Sequence, residues 1–306
     1  MKQMRFPLLI ALGVAIIGIV LGSFFDLQIS TAIASPTNTI GLLISAIGPT
    51  IGFGAVAAMG GGLVVLGLRK EYHIALRILF FVLAACCLGV SIFYPAGEYF
   101  GVNGFYGAAP EWVGYLVVIL PESAAMVGGY FLFKDCKNKN MWIVFCIIIG
   151  LLLLALLVII PTIKDNMRRP RYRIVSTTPV EFHNWWQSCK NYKDLMVQYG
   201  IESSDNFKSY PSGHTAEASI LLVGVTFLPL AHPKFKKIQL PLFIGASVLV
   251  LLVAFARILA AAHYLSDVSF GAFIVVAVVF IANEVVMKIK ALQVEEEPLK
   301  AEKETE

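Results

Sequence analysis

Charge is scarce in this chain: Asp, Glu, Lys and Arg make up 14% of its 306 residues, 58% are hydrophobic, and the mean hydropathy is +0.77. Such a composition lies far from soluble-domain averages and excludes an ordinary water-soluble globule. Cysteine is equally sparse. Of five, Cys86, Cys87 and Cys146 fall in apolar runs, Cys136 stands in a lysine-rich turn and Cys189 is alone in a long polar loop, so no disulfide framework is expected. Cys and His do not recur at metal-ligand spacing, no glycine-rich nucleotide-binding loop occurs, and there is no internal repeat. No metal, no cofactor and no nucleic-acid partner is therefore expected.

What fills the chain is long apolar runs. A bilayer span needs about 20 mostly apolar residues, and eight such runs lie near 7–25, 47–68, 75–94, 113–133, 141–161, 213–231, 238–257 and 266–287. The fold class is all-α, a polytopic membrane helical bundle with about eight transmembrane helices. The first run follows Lys2 and Arg5 and is too long for the apolar part of a typical signal peptide, so it reads as a retained anchor. Residues 26–46 read as an outer amphipathic segment. The end of the chain, 291–306, is a mixed charge run that reads as a disordered cytoplasmic tail.

Lys and Arg orient the bundle, since short cytoplasmic loops carry their excess. One side collects Lys2, Arg5, Arg69, Lys70, Arg77, Lys134, Lys137, Lys139, Lys234, Lys236, Lys237, Lys288 and Lys290, which makes it the cytoplasmic side with both termini. On the other side, 26–46 and 95–112 contain no Lys or Arg at all. The loop 162–212 breaks the pattern with Lys164, Arg168, Arg169, Arg171, Arg173, Lys190, Lys193 and Lys208, and Arg257 lies at the same face. A long loop crosses the membrane regardless of charge; the sharper reading is an anion site.

Two histidines support the anion site. His214 and His263 are 49 residues apart, the length of two spans and a short turn, so one membrane face receives both. His263 and Asp267 stand at i and i+4, the spacing at which a carboxylate orients an imidazole and leaves its other nitrogen as nucleophile or base. Pro211-Ser212-Gly213 opens the descending helix, where backbone N–H groups favour a bound anion and glycine permits close approach.

Three groups thus converge. They are "KDNMRRPRY" (Lys164 to Tyr172), "PSGH" (Pro211 to His214) and "ARILAAAHYLSD" (Ala256 to Asp267). Together they resemble the three motifs of the type 2 phosphatidic acid phosphatase family, Lys-x6-Arg-Pro, Pro-Ser-Gly-His and Ser-Arg-x5-His-x3-Asp, over roughly residues 140–290. Tyr172 replaces the family's usual proline and Ala256 its usual serine, while every charged or imidazole position is kept. The resemblance implies a phosphohistidine at His263 with Asp267 as its partner, protonation of the leaving oxygen by His214, and a phosphate held by Lys164, Arg171, Ser212, Gly213 and Arg257 without a metal. It implies a lipid phosphate or diphosphate substrate among membrane lipids; with the Lys and Arg distribution, the active site is expected on the extracytoplasmic side of the plasma membrane. It also divides the chain into four N-terminal spans (1–140), a phosphatase core (141–290) and the tail (291–306), with two spans beyond the family's usual six.

Other residues have blander readings. His73, His183 and His232 read as surface or packing residues. Arg168, Arg169 and Arg173 read equally well as ligands of anionic lipid headgroups. Phe182, Trp185, Trp186 and Tyr192 read as loop core or interfacial anchors rather than the rim of a lipid-entry groove. Glu122, in the middle of a span, is either a buried hydrogen-bonding group or part of a proton-related function. Three function classes remain open on the sequence: a lipid phosphate hydrolase, a transferase passing the same phosphoryl group to a lipid or sugar acceptor, and a non-catalytic membrane protein with a basic outer loop. The sequence carries no signal of oligomeric state.

Overall fold

The structure, a computed structural model, describes residues 2–100 and 111–289. A 3-10 turn, Lys2–Met4, leads into α1 (Arg5–Ile33), followed by α2 (Thr39–Leu68), α3 (Ile74–Phe100) and α4 (Glu111–Phe133). Next, α5 (Met141–Leu153) passes through a π-helical turn, Leu154–Ile159, into α6 (Ile160–Met167). An irregular segment carries the short α7 (Tyr172–Val175) and α8 (Tyr192–Tyr199) before α9 (Gly213–Ser219), α10 (Leu221–Ala231), α11 (Gln239–Leu259) and α12 (Leu265–Lys288). No strand occurs among the described residues.

Among the described residues eight stretches are long and apolar enough to cross a membrane, and they coincide with the eight runs read from the sequence. The chain is an all-α, multi-pass membrane protein. In hydrocarbon the backbone must satisfy its own N–H and C=O groups, which a helix does within one segment. Large apolar side chains accordingly stay on the outside: Phe24, Phe93, Leu120 and Leu157 are all at least 60% exposed.

The outer segment 26–46 differs from its expected form. Helix α1 continues through Asp26 to Ile33, residues 34–38 make a tight turn, and α2 begins at Thr39, capped by the Asn38 side chain, which accepts from the Gly41 N–H at 2.8 Å. Asp26 is drawn into the fold instead of facing water, which is why the helix does not end there. Part of the outer segment 95–112, and the tail 291–306, lie outside the described residues.

Helix α2 is the axis of the bundle, packed on α3, α4, α9 and α11. Its sequence "GAVAAMGGG" is built of small side chains, the means by which helices approach closely in a membrane. Helix α1 lies on the opposite side, against α12. The π-helical turn precedes Pro161, whose missing N–H interrupts the regular ladder. The segment after α6 folds over the bundle end around a small core of Ile174, Val180, Cys189, Ile201 and Phe207.

One contact sets how closely the starts of α9 and α12 approach. A Cβ on Gly271 would meet the Ser212 carbonyl oxygen at 2.3 Å. Backbone cannot yield as a side chain can, so Gly271→Ala is expected to destabilise the protein by about 1–3 kcal/mol, the usual cost of overpacking. Thermal unfolding in detergent checks this: a lowered midpoint is expected, and an unchanged one contradicts the contact.

Candidate active site

A cavity of about 140 Å3 opens where α6, the following loop and the start of α9 meet. Its polar wall comprises Lys164, Asp165, Arg171, Asp205, Lys208, Gly213, His214, Glu217 and His263. The other wall is apolar and comes from Tyr94 of α3 with Leu156, Ile160 and Pro161. A Cβ on Gly213 would lie 3.6 Å from Lys164 Nζ and 3.2 Å from Glu217 Oε1, so lysine and carboxylate flank the same glycine. Five sequence-derived site residues, Lys164, Arg171, Gly213, His214 and His263, therefore share one space.

The other three stand differently. Ser212 is the N-cap of α9, where its hydroxyl accepts from the Thr215 N–H at 3.4 Å and meets Thr215 Oγ1 at 3.1 Å; it does not line the cavity. Arg257, in the last turn of α11, does not line the cavity, and its carbonyl accepts the His263 N–H at 3.2 Å. Asp267 is not hydrogen-bonded to His263. Its Oδ2 is 3.8 Å from Nδ1, beyond hydrogen-bonding distance.

The reason is where α12 starts. His263 precedes the helix, Tyr264 is the N-cap, and Asp267 accepts the Tyr264 N–H at 2.9 Å and the Ser209 hydroxyl at 2.5 Å. The i, i+4 face assumed from the sequence does not exist at that point. What holds the imidazole is the Ser209 carbonyl, 2.5 Å from Nδ1. A carbonyl only accepts, so Nδ1 carries the proton and Nε2 keeps its lone pair. Nε2 is 3.4 Å from the Arg171 guanidinium and belongs to the cavity wall.

The electrostatics follow from burial among cations. Desolvation first, then Arg171, Arg257 and Lys164, hold His263 well below its ordinary imidazole range, against the Ser209 hydrogen bond. Burial works to raise Asp205, but Arg171, Lys164 and Arg173 hold it down at about 2. Asp205 fixes the guanidinium: Arg171 Nη2 donates to its carboxylate at 2.9 Å and Nε to its carbonyl at 2.8 Å. A neutral imidazole thus faces a cavity whose polar wall carries three cations, Lys164, Arg171 and Lys208, beside three carboxylates, Asp165, Asp205 and Glu217.

The arginine cluster is not an outward lipid-binding patch. Arg168 pairs with Asp165 at 2.7 Å and covers the Tyr192 ring, while Arg173 bonds Asn206 at 2.6 Å and Asp205 at 3.2 Å. Arg169 is completely buried, between Asp267 at 2.5 Å and Asp26 at 2.9 Å. Phe182 and Trp185 pack inward on Tyr264 and Tyr210, and of that aromatic group only Trp186 is exposed. His73 is exposed, and His232 packs edge-on against Phe235. Glu122 is buried in α4 away from the cavity, its carboxylate without a hydrogen-bond partner among the described residues.

Sequence reasoning missed Asp26, Asp205, Ser209, Glu217 and Tyr94. Glu217 had a readable signal, an acid three residues after His214 on the same helix, and so had Asp26, an acid inside an apolar run. Nothing local marks Ser209 or Asp205. Among the described residues no group of three or more His, Cys, Asp or Glu side chains is placed to hold a metal ion.

Residues 139–290, which carry the cavity's cations and both histidines, match the model of the PAP2 superfamily. This chain belongs to the PAP2 superfamily. Members are phosphatases and phosphotransferases, so the protein is an enzyme of phosphoryl transfer. No curated protein and no solved structure matches it. In this PAP2 protein α1 to α4 lie outside the matched segment, yet Tyr94 of α3 lines the cavity and Asp26 of α1 reaches Arg169.

The titration of His263 gives a direct check. Arg171→Gln removes the largest charge acting against the imidazolium, so the pKa of His263 is expected to rise toward the ordinary range. Nitrogen NMR of labelled histidine in detergent reads it. An unmoved resonance would contradict the placement of Arg171.

Proposed function

We propose that this protein hydrolyses a lipid phosphate or lipid diphosphate at the extracytoplasmic membrane face, without a metal, through a phosphohistidine on His263. The observation that carries the reading is the cavity itself: a phosphoryl-sized space with Lys164, Arg171 and Lys208 on one wall and the apolar side chains of two membrane helices on the other. A lipid phosphate has that same division, an anionic head joined to a chain that stays in hydrocarbon. The volume of about 140 Å3 suits a headgroup and leaves the chain outside, beside α3 and the π-helical turn.

The chemistry takes two displacements. Nε2 of His263 attacks phosphorus, the bond from phosphorus to the lipid oxygen breaks, and the departing alkoxide takes a proton from His214. Then His214 removes a proton from water, the water oxygen bonds to phosphorus, the P–N bond breaks, and phosphate leaves with His263 regenerated. Lys164, Arg171 and the Gly213 N–H hold the non-bridging oxygens throughout, and Arg257 adds its charge from α11. The Ser209 carbonyl favours this assignment, because it commits Nδ1 as donor and leaves Nε2 as the nucleophile.

The extracytoplasmic placement is supported by the distribution of Lys and Arg, which puts Arg69, Lys70, Arg77, Lys134, Lys137 and Lys139 on the side opposite the cavity. In this reading both termini are cytoplasmic, the membrane is the plasma membrane, and the phosphatase core runs over 141–290.

The two histidines are separable by leaving group. A lipid alkoxide needs a proton, whereas p-nitrophenolate departs almost unaided. His214→Ala is therefore expected to cost roughly 100- to 10,000-fold on a lipid phosphate, the range of general acid catalysis, and far less in the first step with p-nitrophenyl phosphate. Rapid mixing should show a burst of p-nitrophenolate near one equivalent, followed by slow turnover. Equal losses on both substrates with no burst would remove His214 from the acid role.

A further inference from the structure

We propose that Asp26, on α1, is a positioning residue of this reaction, acting through Arg169 and the first turn of α12 on the imidazole of His263. The proposal rests on the reading of His263 as nucleophile and extends the active site to a helix outside the matched segment 139–290.

The chain of contacts is continuous and buried. Asp26 is 2% exposed; its Oδ1 accepts the Ser266 backbone N–H at 2.9 Å, and its Oδ2 accepts the Ser266 hydroxyl and the Arg169 Nη2 at 2.9 Å. A carboxylate from one helix thus satisfies an unpaired N–H in the first turn of another, where negative charge is favoured. Arg169 Nη1 reaches Ser266 Oγ at 2.8 Å and Asp267 Oδ1 at 2.5 Å. Its Nε donates to the His183 carbonyl at 2.8 Å, and its guanidinium lies 4.2 Å from the Tyr264 ring centre. The other oxygen of Asp267 accepts from the Ser209 hydroxyl at 2.5 Å, and the carbonyl of that same Ser209 holds His263 Nδ1. Asp26 is therefore the far end of a relay of fixed groups that ends on the imidazole.

Helix α1 is shaped for this contact. A Cβ on Gly22 would lie 2.5 Å from the Ser266 nitrogen, and one on Gly18 would lie 2.2 Å from Ser269 Oγ, so α1 comes close to α12 over the two turns before Asp26. One turn before Asp26, Ser23 Oγ receives the Trp185 indole N–H at 2.9 Å. Two side chains thus tie this end of α1 to the rest of the fold, Ser23 through a neutral hydrogen bond and Asp26 through charged ones.

Charge makes the difference between a tie and a positioning group. Two carboxylates share one guanidinium out of water, leaving that network one negative charge in excess. Around His263 stand Lys164, Arg171 and Arg257 as cations, Asp205 and Asp267 as anions, and His214; Tyr264 faces Arg169, Asp267 and Asp26. Removing the Asp26 charge leaves Arg169 to Asp267 alone, weakens the hold of Asp267 on Ser209 and tips the balance around the imidazole toward positive. The imidazole then becomes less basic and a poorer nucleophile.

Purified full-length Asp26→Asn, Asp26→Glu, Ser23→Ala and His263→Ala proteins, assayed with p-nitrophenyl phosphate across pH, test the proposal. Asp26→Asn is expected to lower kcat roughly 10- to 100-fold, as loss of a partner behind a functional imidazole does. KM should change little, and the acid limb of kcat/KM should move to lower pH. Asp26→Glu, which keeps the charge, should recover much of kcat, and Ser23→Ala, which removes only the neutral tie, should keep it. Wild-type kcat and acid limb in Asp26→Asn would overturn the proposal, as would an equal loss in Ser23→Ala. If Asp26→Asn does not accumulate, Ser266→Ala removes the hydroxyl shared by Asp26 and Arg169: reduced kcat at unchanged KM supports the role, and wild-type kinetics overturn it. Activity surviving in His263→Ala would instead defeat the reading of the site, whatever Asp26 does.

Discussion

Arg169 has no access to water, and its guanidinium is shared by Asp267 at 2.5 Å and Asp26 at 2.9 Å. Burying such charges costs several kcal/mol per ion, so the arrangement persists only while every partner stays in place. The partners come from α1, the segment after α6 and α12, and three elements remote in sequence are thereby fixed to one another at one end of the bundle. Tyr264 and Phe182 close over the guanidinium, completing the seal. The position of His263, one residue before the cap of α12, is a consequence of that arrangement.

Next to this negative network lies the opposite one. Lys164, Arg171 and Lys208 line a cavity of about 140 Å3 together with Asp165, Asp205 and Glu217; Asp205 holds Arg171 in place and Asp165 pairs with Lys208 at 3.3 Å. Burial first, and then Arg171, Arg257 and Lys164, hold the His263 imidazole well below its ordinary range. In the proposed reaction this suits attack on an anionic phosphorus centre, because the cations that would hold the substrate also oppose protonation of the imidazole that would attack it. The apolar wall contributed by Tyr94 and the π-helical turn gives the cavity a second polarity along one axis.

The spans were legible in the sequence because hydrocarbon imposes a length and a composition that few residues violate, and all eight fall where the apolar runs do. The cavity was legible where motif residues lie at the ends of those spans, as with Lys164, Arg171, Gly213, His214 and His263. Asp267 misled because its spacing from His263 suggests a helix face, and only the start of α12 at Leu265 shows that its carboxylate caps the helix and binds Arg169 instead. Arg169 looked like one more outer cation, since sequence gives charge but not burial. Asp26 was legible as an acid inside an apolar run, but its partner was not: Arg169 is 143 residues away, and no local pattern joins the two.

The account turns on His263 Nε2 as the atom that takes the phosphoryl group, because Nδ1 is committed to the Ser209 carbonyl. The most direct measurement is peptide mapping by mass spectrometry of His214→Ala protein mixed briefly with p-nitrophenyl phosphate and quenched in alkali. The account predicts a phosphoryl group on His263, attached through Nε2, stable in base and lost in acid. A phosphoryl group on any other residue, one on Nδ1 of His263, or none on the protein during turnover would contradict it.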